Sequence, residues 1–475
     1  MKHYELTVGL EVHAELKTDS KIFCSCSTAF GGEPNSRCCP VCMGLPGALP
    51  VLNRRAVELA VLAGLATDCR IERYSEFDRK HYFYPDLPKA YQITQYAHPI
   101  CREGALKIEG EWGVKQIGIT RIHLEEDAGK LVHEGETTGI DFNRCGVGLI
   151  EIVSEPDIGS SAEAVAYLKA LRSRLLFAGV SDCRMQEGSL RCDVNLSVRE
   201  VGERGLGTRT EIKNLNSFRF VAAAIEQEYA RQVEVLEAGG VIAQETRRFD
   251  PATGKTYPMR QKENAADYLY FPEPDLLPLL LEQGEIEALA ATMPELPDAR
   301  RARYRREYGI DGGDADALLA DPLLANYFEE AAEQSKYPKT VVNLLLTELL
   351  RLSDGEAFST PIAPSHLGEL AELLGEERIN SPTAKRLLSR MADEGSPAAI
   401  AEREGLWQIN DEQTLRAAVR EVLAADPKSV AAYLGGKTNA AKALIGRVMA
   451  KTEGRANPVL VNRLLGEALS QLHPS

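Results

Sequence analysis

The chain has 475 residues, of which 44% are hydrophobic and 26% charged, and its formal net charge is -15 at pH 7. That length supports two or three packed domains, and the acidic balance excludes a surface that binds nucleic acid everywhere, because phosphate contacts need Lys and Arg. No stretch approaches about 18 uninterrupted apolar residues, and the start MKHYELTVGLEVH has neither signal-peptide nor transit-peptide character, so a cytoplasmic protein without membrane contact is expected.

The first element is a strand over LTVGLEVH (6–13), where Leu6, Val8, Leu10 and Val12 point one way and Glu11 and His13 the other. Five of the ten cysteines then crowd into residues 24–42. Cys24 and Cys26 form C-x-C, and Cys39 and Cys42 form C-x-x-C, a layout that can close a tetrahedral Zn²⁺ site of four thiolates. Cys38 competes with Cys39 for one position. An all-cysteine set favours a closed structural site over a catalytic one. Helices are expected over 53–66, 161–179 and 221–239, the last two closed by glycine. Strands are expected over 117–127, 191–199 and 207–214. Together they make a strand-dominated α+β domain over 1–295, with the cysteine-rich insertion at 24–42.

From residue 296 the pattern changes to successive helical segments: PELPDARRARYRREYG, DPLLANYFEEAAEQ, KTVVNLLLTELLRL, SHLGELAELLG, SPTAKRLLSRMADEG and DEQTLRAAVREVLAADP. GLWQIND, near 406, separates an all-helical domain (296–405) from a helical tail (406–475). Between Lys428 and Arg463 the tail carries seven basic residues, Lys428, Lys437, Lys442, Arg447, Lys451, Arg455 and Arg463, against one acid, Glu453. A local basic surface on helices suits recognition of an RNA backbone.

If the strands of the first domain are neighbours, one face of their sheet gathers Glu11, Glu125, Glu151, Asp193, Glu211 and His13. An ordinary wet face mixes signs and uses Thr, Lys and Ser freely. Glu151 is the hardest to treat as one, because it sits between Leu149, Ile150, Ile152 and Val153, where an unpaired carboxylate is costly to desolvate. Hard oxygen donors with one imidazole suit Mg²⁺ or Mn²⁺, which would offset the repulsion and bridge nucleotide phosphates. No phosphate loop competes, since LGGKTNAAK (434–442) has Ala431 where the first glycine is needed. Neither G-x-S-x-G nor H-E-x-x-H occurs.

Taken together, GLEVHAELKTDSKIF, ALPVLN, FDRKHYFYPDLPKAYQIT, RIHLEEDAGK, EIVSEPD, GSLRCDVNLSVR and GTRTEIKNLNSF closely resemble the ordered motifs of the GatB family, the B subunits of the aspartyl/glutamyl-tRNA amidotransferases. ANPVLVNRLL resembles that family's YqeY-like tail. The resemblance implies an antiparallel-sheet cradle related to the glutamine synthetase and guanido kinase fold, then a helical domain and a tail that contacts tRNA. It implies ATP-dependent phosphorylation of the side-chain carboxylate of Glu or Asp misacylated on tRNA. Ammonia would come from an amidase partner, with a small third chain completing the heterotrimer.

By position, His13, Glu125 and Glu151 match the family's Mg²⁺ ligands, and Glu11, Asp193 and Glu211 match acids at a second metal position. Glu126 is an alternative to Glu125, though strand register favours Glu125. Arg191 and Lys213 are candidate partners for developing phosphate charge. Lys80, Tyr82 and Tyr84 match a segment near the ammonia path and substrate pocket. Two positions depart from the family pattern: His81 stands where Asn is common, and Gly148 where Pro is common, which implies a freer loop before Glu151. The four-cysteine cluster occurs in only some members.

Overall fold

In the computed structural model, which describes residues 3–259, 268–352 and 358–472, the first alternating run becomes the strand Tyr4–Glu15. It lies at the middle of a nine-stranded sheet. The order across that sheet is Lys255–Pro258, Glu245–Asp250, Thr210–Lys213, Leu190–Glu200, Tyr4–Glu15, Gly148–Ser154, Gly113–Glu126, Cys101–Gly110 and Arg70–Ile71. Neighbours run antiparallel except Thr210–Lys213 beside Glu245–Asp250.

Pleating sorts the side chains as the sequence alternation requires. Val8, Leu10, Val12 and Ala14 are buried, joined by Ile122, Leu124, Ile150, Ile152, Cys192, Val194 and Leu196 from the neighbouring strands. The helices Arg54–Ala66, Ser161–Phe177 and Phe218–Glu237 cover this apolar face with Ala60, Tyr167, Leu171 and Ile225. Each helix starts on a side-chain cap, from Asn53, Ser160 and Ser217. The last two end at left-handed glycines, Gly179 (φ +66°) and Gly239 (φ +75°). The opposite face of the sheet is left for Glu11, His13 and their neighbours.

One buried network ties the third helix to the far edge of the sheet. Glu228 is 0% exposed and accepts from Arg231 Nη2 at 2.6 Å, Gln232 Nε2 at 2.9 Å and Thr256 Oγ1 at 2.8 Å, with Arg247 Nε at 3.3 Å. A smaller antiparallel sheet, Leu269–Pro272, Asp78–His81 and Tyr91–Thr94, carries Lys80.

The chain divides into two compact units, Met1–Ala299 and Arg300–Ser475. Among its described residues the second is helical, and most of its helices begin with Pro or behind an Asp, Ser or Asn cap. KTVVNLLLTELLRL does not form one regular helix. Pro338–Asn343 is α-helical, Leu344–Leu349 widens into a π turn and Leu350–Leu352 tightens to 3₁₀. The Thr347 hydroxyl takes the Asn343 carbonyl at 2.6 Å, the group that an α turn would give to the Thr347 amide. Glu412–Ala425, Asn439–Lys451 and Pro458–Gln471 share a core of their own around Leu415, Val419, Leu444, Val448, Leu464 and Leu465. No described helix is long and apolar enough to cross a membrane.

Candidate active site and metal centre

Register decides which polar residues meet. Tyr4–Glu15 sits between Gly148–Ser154 and Leu190–Glu200, so His13 lies opposite both Glu151 and Arg191, and Glu11 opposite Asp193. On the next strands Glu151 faces His123, and Asn195 faces Glu211. Two groups result, each with ligand-capable atoms within 4.8 Å of one another: His13, Glu125 and Glu151, and Glu11, Asp193 and Glu211.

In the first group His13 Nε2 is 3.4 Å from Glu125 Oε1 and 3.5 Å from Glu151 Oε2. His123, on the same face, brings Nε2 to 3.3 Å from Glu151 Oε2 and 3.7 Å from Glu125 Oε2. Burial opposes charge on Glu151, yet the imidazoles of His123 and His13 hold its carboxyl well below the usual carboxylate range. Burial likewise disfavours the His13 imidazolium, but the hydrogen bond and charge of Glu151, with the charge of Glu125, raise it to about 9. Such a group of carboxylates and imidazoles can exchange protons for a divalent cation. Glu126 takes the other face of the strand, where it pairs with Lys89 and accepts from the Ile93 amide at 2.9 Å.

The second group is bridged by a cation of the chain itself. Lys213 Nζ lies 2.6 Å from Asp193 Oδ2 and 2.8 Å from Glu211 Oε1. Asn195 donates to Glu11 at 2.8 Å and Thr246 to Glu211 at 2.7 Å. Burial, then the charge of Glu151, push the Glu11 carboxyl up. Lys213 and Arg191, expected from sequence to face phosphate, are thus both engaged by acids. Arg191 makes a two-pronged pair with Asp127, at 2.7 and 3.1 Å.

Lys80 stands over the Tyr268 ring at 4.8 Å and the Tyr82 ring at 5.9 Å. Burial would lower its ammonium, but the charges of Glu125 and Glu151 and the hydroxyls of Tyr270 and Tyr268 raise it. Tyr84 is exposed, its ring 6.5 Å from that of Tyr82. His81 stacks on Phe271 at 4.8 Å. Gly148 does not open a free loop. It pairs with Glu126 in the sheet, accepts from the Leu16 amide at 2.9 Å, and a Cβ there would come 3.1 Å from Ile22 Cβ.

Three residues of the site lie outside the set that the sequence suggests. His123 stands on the polar face of its strand, but the sequence reading assigns only one imidazole. Glu15 continues the Glu11–His13 alternation, and burial and the charge of Asp127 push its carboxyl up to about 8 against the pull of Arg191 and Arg144. Asp127 closes the run 117–127 in phase with His123 and Glu125, a signal the sequence reading did not use, and the strand itself stops one residue earlier at Glu126.

The sulfur atoms of Cys24, Cys26, Cys39 and Cys42 also lie within 4.8 Å of one another and could hold a structural metal such as zinc. Cys38 turns away, donating to the Asn35 carbonyl at 3.1 Å. A hydrogen bond from Cys24 outweighs burial and, with the Cys39 amide and the charge of Lys21, holds the Cys42 thiol down to about 4.

Residues 6–287 match the family model described as the GatB/GatE catalytic domain, and residues 326–469 match one described as the GatB domain. The chain is 54% identical over 474 residues to the aspartyl/glutamyl-tRNA(Asn/Gln) amidotransferase B subunit of Caldanaerobacter subterraneus, covering 98% of this chain and 100% of that protein. It is 52% identical over 478 residues to the protein of the same name from Caldicellulosiruptor saccharolyticus, covering 99% and 100%. The protein of that name from Geobacter sulfurreducens is 49% identical over 476 residues, covering 98% and 99%.

Proposed function

The chain belongs to the GatB family, and from that membership we propose that it is the amide-forming component of a glutamine-hydrolysing tRNA-dependent amidotransferase, acting in the cytoplasm on Glu-tRNA(Gln), Asp-tRNA(Asn) or both. On this reading the nine-stranded sheet is a cradle of the glutamine synthetase and guanido kinase kind. The domains are 1–295, 296–405 and a YqeY-like tail, 406–475. An amidase partner releases ammonia from glutamine, and a small third chain completes the heterotrimer.

The observation that carries the chemistry is the pairing of two carboxylate groups on one sheet face, fixed by the register His13 opposite Glu151 and Glu11 opposite Asp193. His13, Glu125 and Glu151 would hold one Mg²⁺, and Glu11, Asp193 and Glu211 a second. When bound, these ions supply charge neutralisation for the phosphates of ATP and for the substrate carboxylate. The residues of the chain position rather than react. His123 orients Glu125 and Glu151, Asn195 fixes Glu11, and Arg191 is held rigid by Asp127 beside the first group. Lys213, between Asp193 and Glu211, is the cation available to ATP once an ion takes the acids. Lys80, Tyr82 and Tyr84 line the approach for ammonia and the aminoacyl group. Phosphoryl transfer activates the side-chain carboxylate, and ammonia displaces the phosphate to leave the amide.

Supplying misacylated tRNA, ATP, Mg²⁺ and ammonium to the complex tests this without the amidase step. Glu151→Gln and His13→Ala are expected to abolish amide formation while tRNA binding persists. Activity retained in both variants would overturn the site assignment.

A further inference from the structure

Lys21 is 0% exposed, one of the largest side chains fully buried in the protein, although lysine is almost never fully buried without a partner. Among the described residues no carboxylate lies within ion-pair distance of it. Its Nζ donates to the Arg37 carbonyl at 2.7 Å and lies 3.6 Å from Cys42 Sγ. Its amide donates to the Cys26 carbonyl at 2.9 Å, so the lysine belongs to the same knuckle as the first two cysteines.

Gly146 makes the approach possible. At its φ of +83° a Cβ would stand 3.1 Å from Cys42 Cβ and 3.6 Å from Lys21 Cδ, so a side chain there would press on both the lysine stem and the cysteine. The Cys39 amide donates to the same sulfur at 3.1 Å, giving Cys42 two N–H donors.

Four thiolates around a divalent ion leave two negative charges in excess. An isolated buried cation is costly, and so is an uncompensated buried anion. We infer that Lys21 is the charge partner of the four-cysteine metal site: its ammonium offsets the excess at Cys42 Sγ and so sets how firmly the metal is held. The inference rests on the cysteine cluster being metal-bound. It gives the buried lysine, which has no carboxylate within ion-pair distance among the described residues, an anionic partner in the Cys42 sulfur. Partners of this kind, outside the ligand set, commonly change metal affinity by 10–100-fold.

The test measures zinc content of the purified full-length protein, then its rate of release to a chromogenic chelator. The variants are Lys21→Met, Lys21→Gln and Phe23→Leu. Phe23 is buried in the same segment, edge-on to Phe77, and carries no charge, so its variant reports packing damage alone. Both lysine variants are expected to release zinc roughly ten-fold faster than wild type, with Phe23→Leu within about two-fold of it. If the methionine variant does not fold, the glutamine variant, which keeps a donor and most of the stem, carries the comparison. Release at the wild-type rate from the lysine variants, or equally fast release from Phe23→Leu, overturns the role of Lys21. Wild-type protein purified without metal overturns the metal reading instead.

Discussion

His123 marks the limit of what alternation says about single residues. The pattern RIHLEED places it on the acid-bearing face, but which imidazole reaches which carboxylate depends on cross-strand register, and that register puts His123 directly opposite Glu151. Pairing across a sheet is not written in either strand alone. The same limit explains Lys213, whose charge was legible while its seat between Asp193 and Glu211 was not. His123→Ala should lower ammonium-dependent amide formation by roughly 10–100-fold, as expected for a residue that orients the acids around a metal. Circular dichroism and tRNA binding should stay at wild-type values, and a rate equal to wild type would remove His123 from the site. By contrast, which of the two carboxylates shares the His13 face was readable, because neighbours on a strand must face opposite ways: Glu125 lies beside His13 and Glu126 pairs with Lys89.

Elements were most legible where a local rule fixes them. The helix Ser161–Phe177 starts behind Ser160, whose hydroxyl accepts from the Glu163 amide at 3.1 Å, and ends at left-handed Gly179. Ser160→Ala should cost about 1 kcal/mol of stability in denaturant titration. The π turn at Leu344–Leu349 was hidden, because apolar spacing cannot show that a threonine hydroxyl takes over a backbone carbonyl. Equally hidden was Glu228, which reads as one more polar position on a helix yet is fully buried between that helix and the sheet edge. Glu228→Leu would remove the buried acceptor of Arg231, Gln232 and Thr256 and leave the guanidinium groups of Arg231 and Arg247 with Glu245 as their remaining shared anion. A loss of roughly 3–5 kcal/mol is expected, measured by chemical unfolding, and a loss below about 1 kcal/mol would show that the network relaxes into water.

For the molecule as a whole, composition and periodicity delivered a strand-dominated α+β domain followed by helices, but neither the antiparallel pairing of its sheet nor the substrate and partner chains. The expectations for these rest on the resemblance of the ordered motifs to a family, since periodicity and composition do not encode what lies outside the chain. The tail shows how structure trims a count of charges. Arg447, Lys451, Arg455 and Arg463 are paired with Asp426, Glu421, Glu453 and Glu412, whereas Lys428, Lys437 and Lys442 are exposed and make no ion pair among the described residues. If the tail binds tRNA, changing these three lysines to Gln should reduce the slope of log Kobs against log salt by about one for each phosphate left without its lysine. Deleting 406–475 should weaken tRNA binding and leave ATP and metal binding in place. An unchanged slope and affinity would put the RNA-binding surface elsewhere.

The central place of Tyr4–Glu15 in the sheet has a consequence for how the chain is made. Its first strand cannot find His13 a neighbour until Glu151, and then Arg191, have been synthesised. At roughly 5–20 residues per second the ribosome takes on the order of ten seconds to reach them. Through that interval the strand waits unpaired with its apolar face uncovered, so the strand that ends at the centre of the finished sheet needs shelter while the rest of that sheet is being translated.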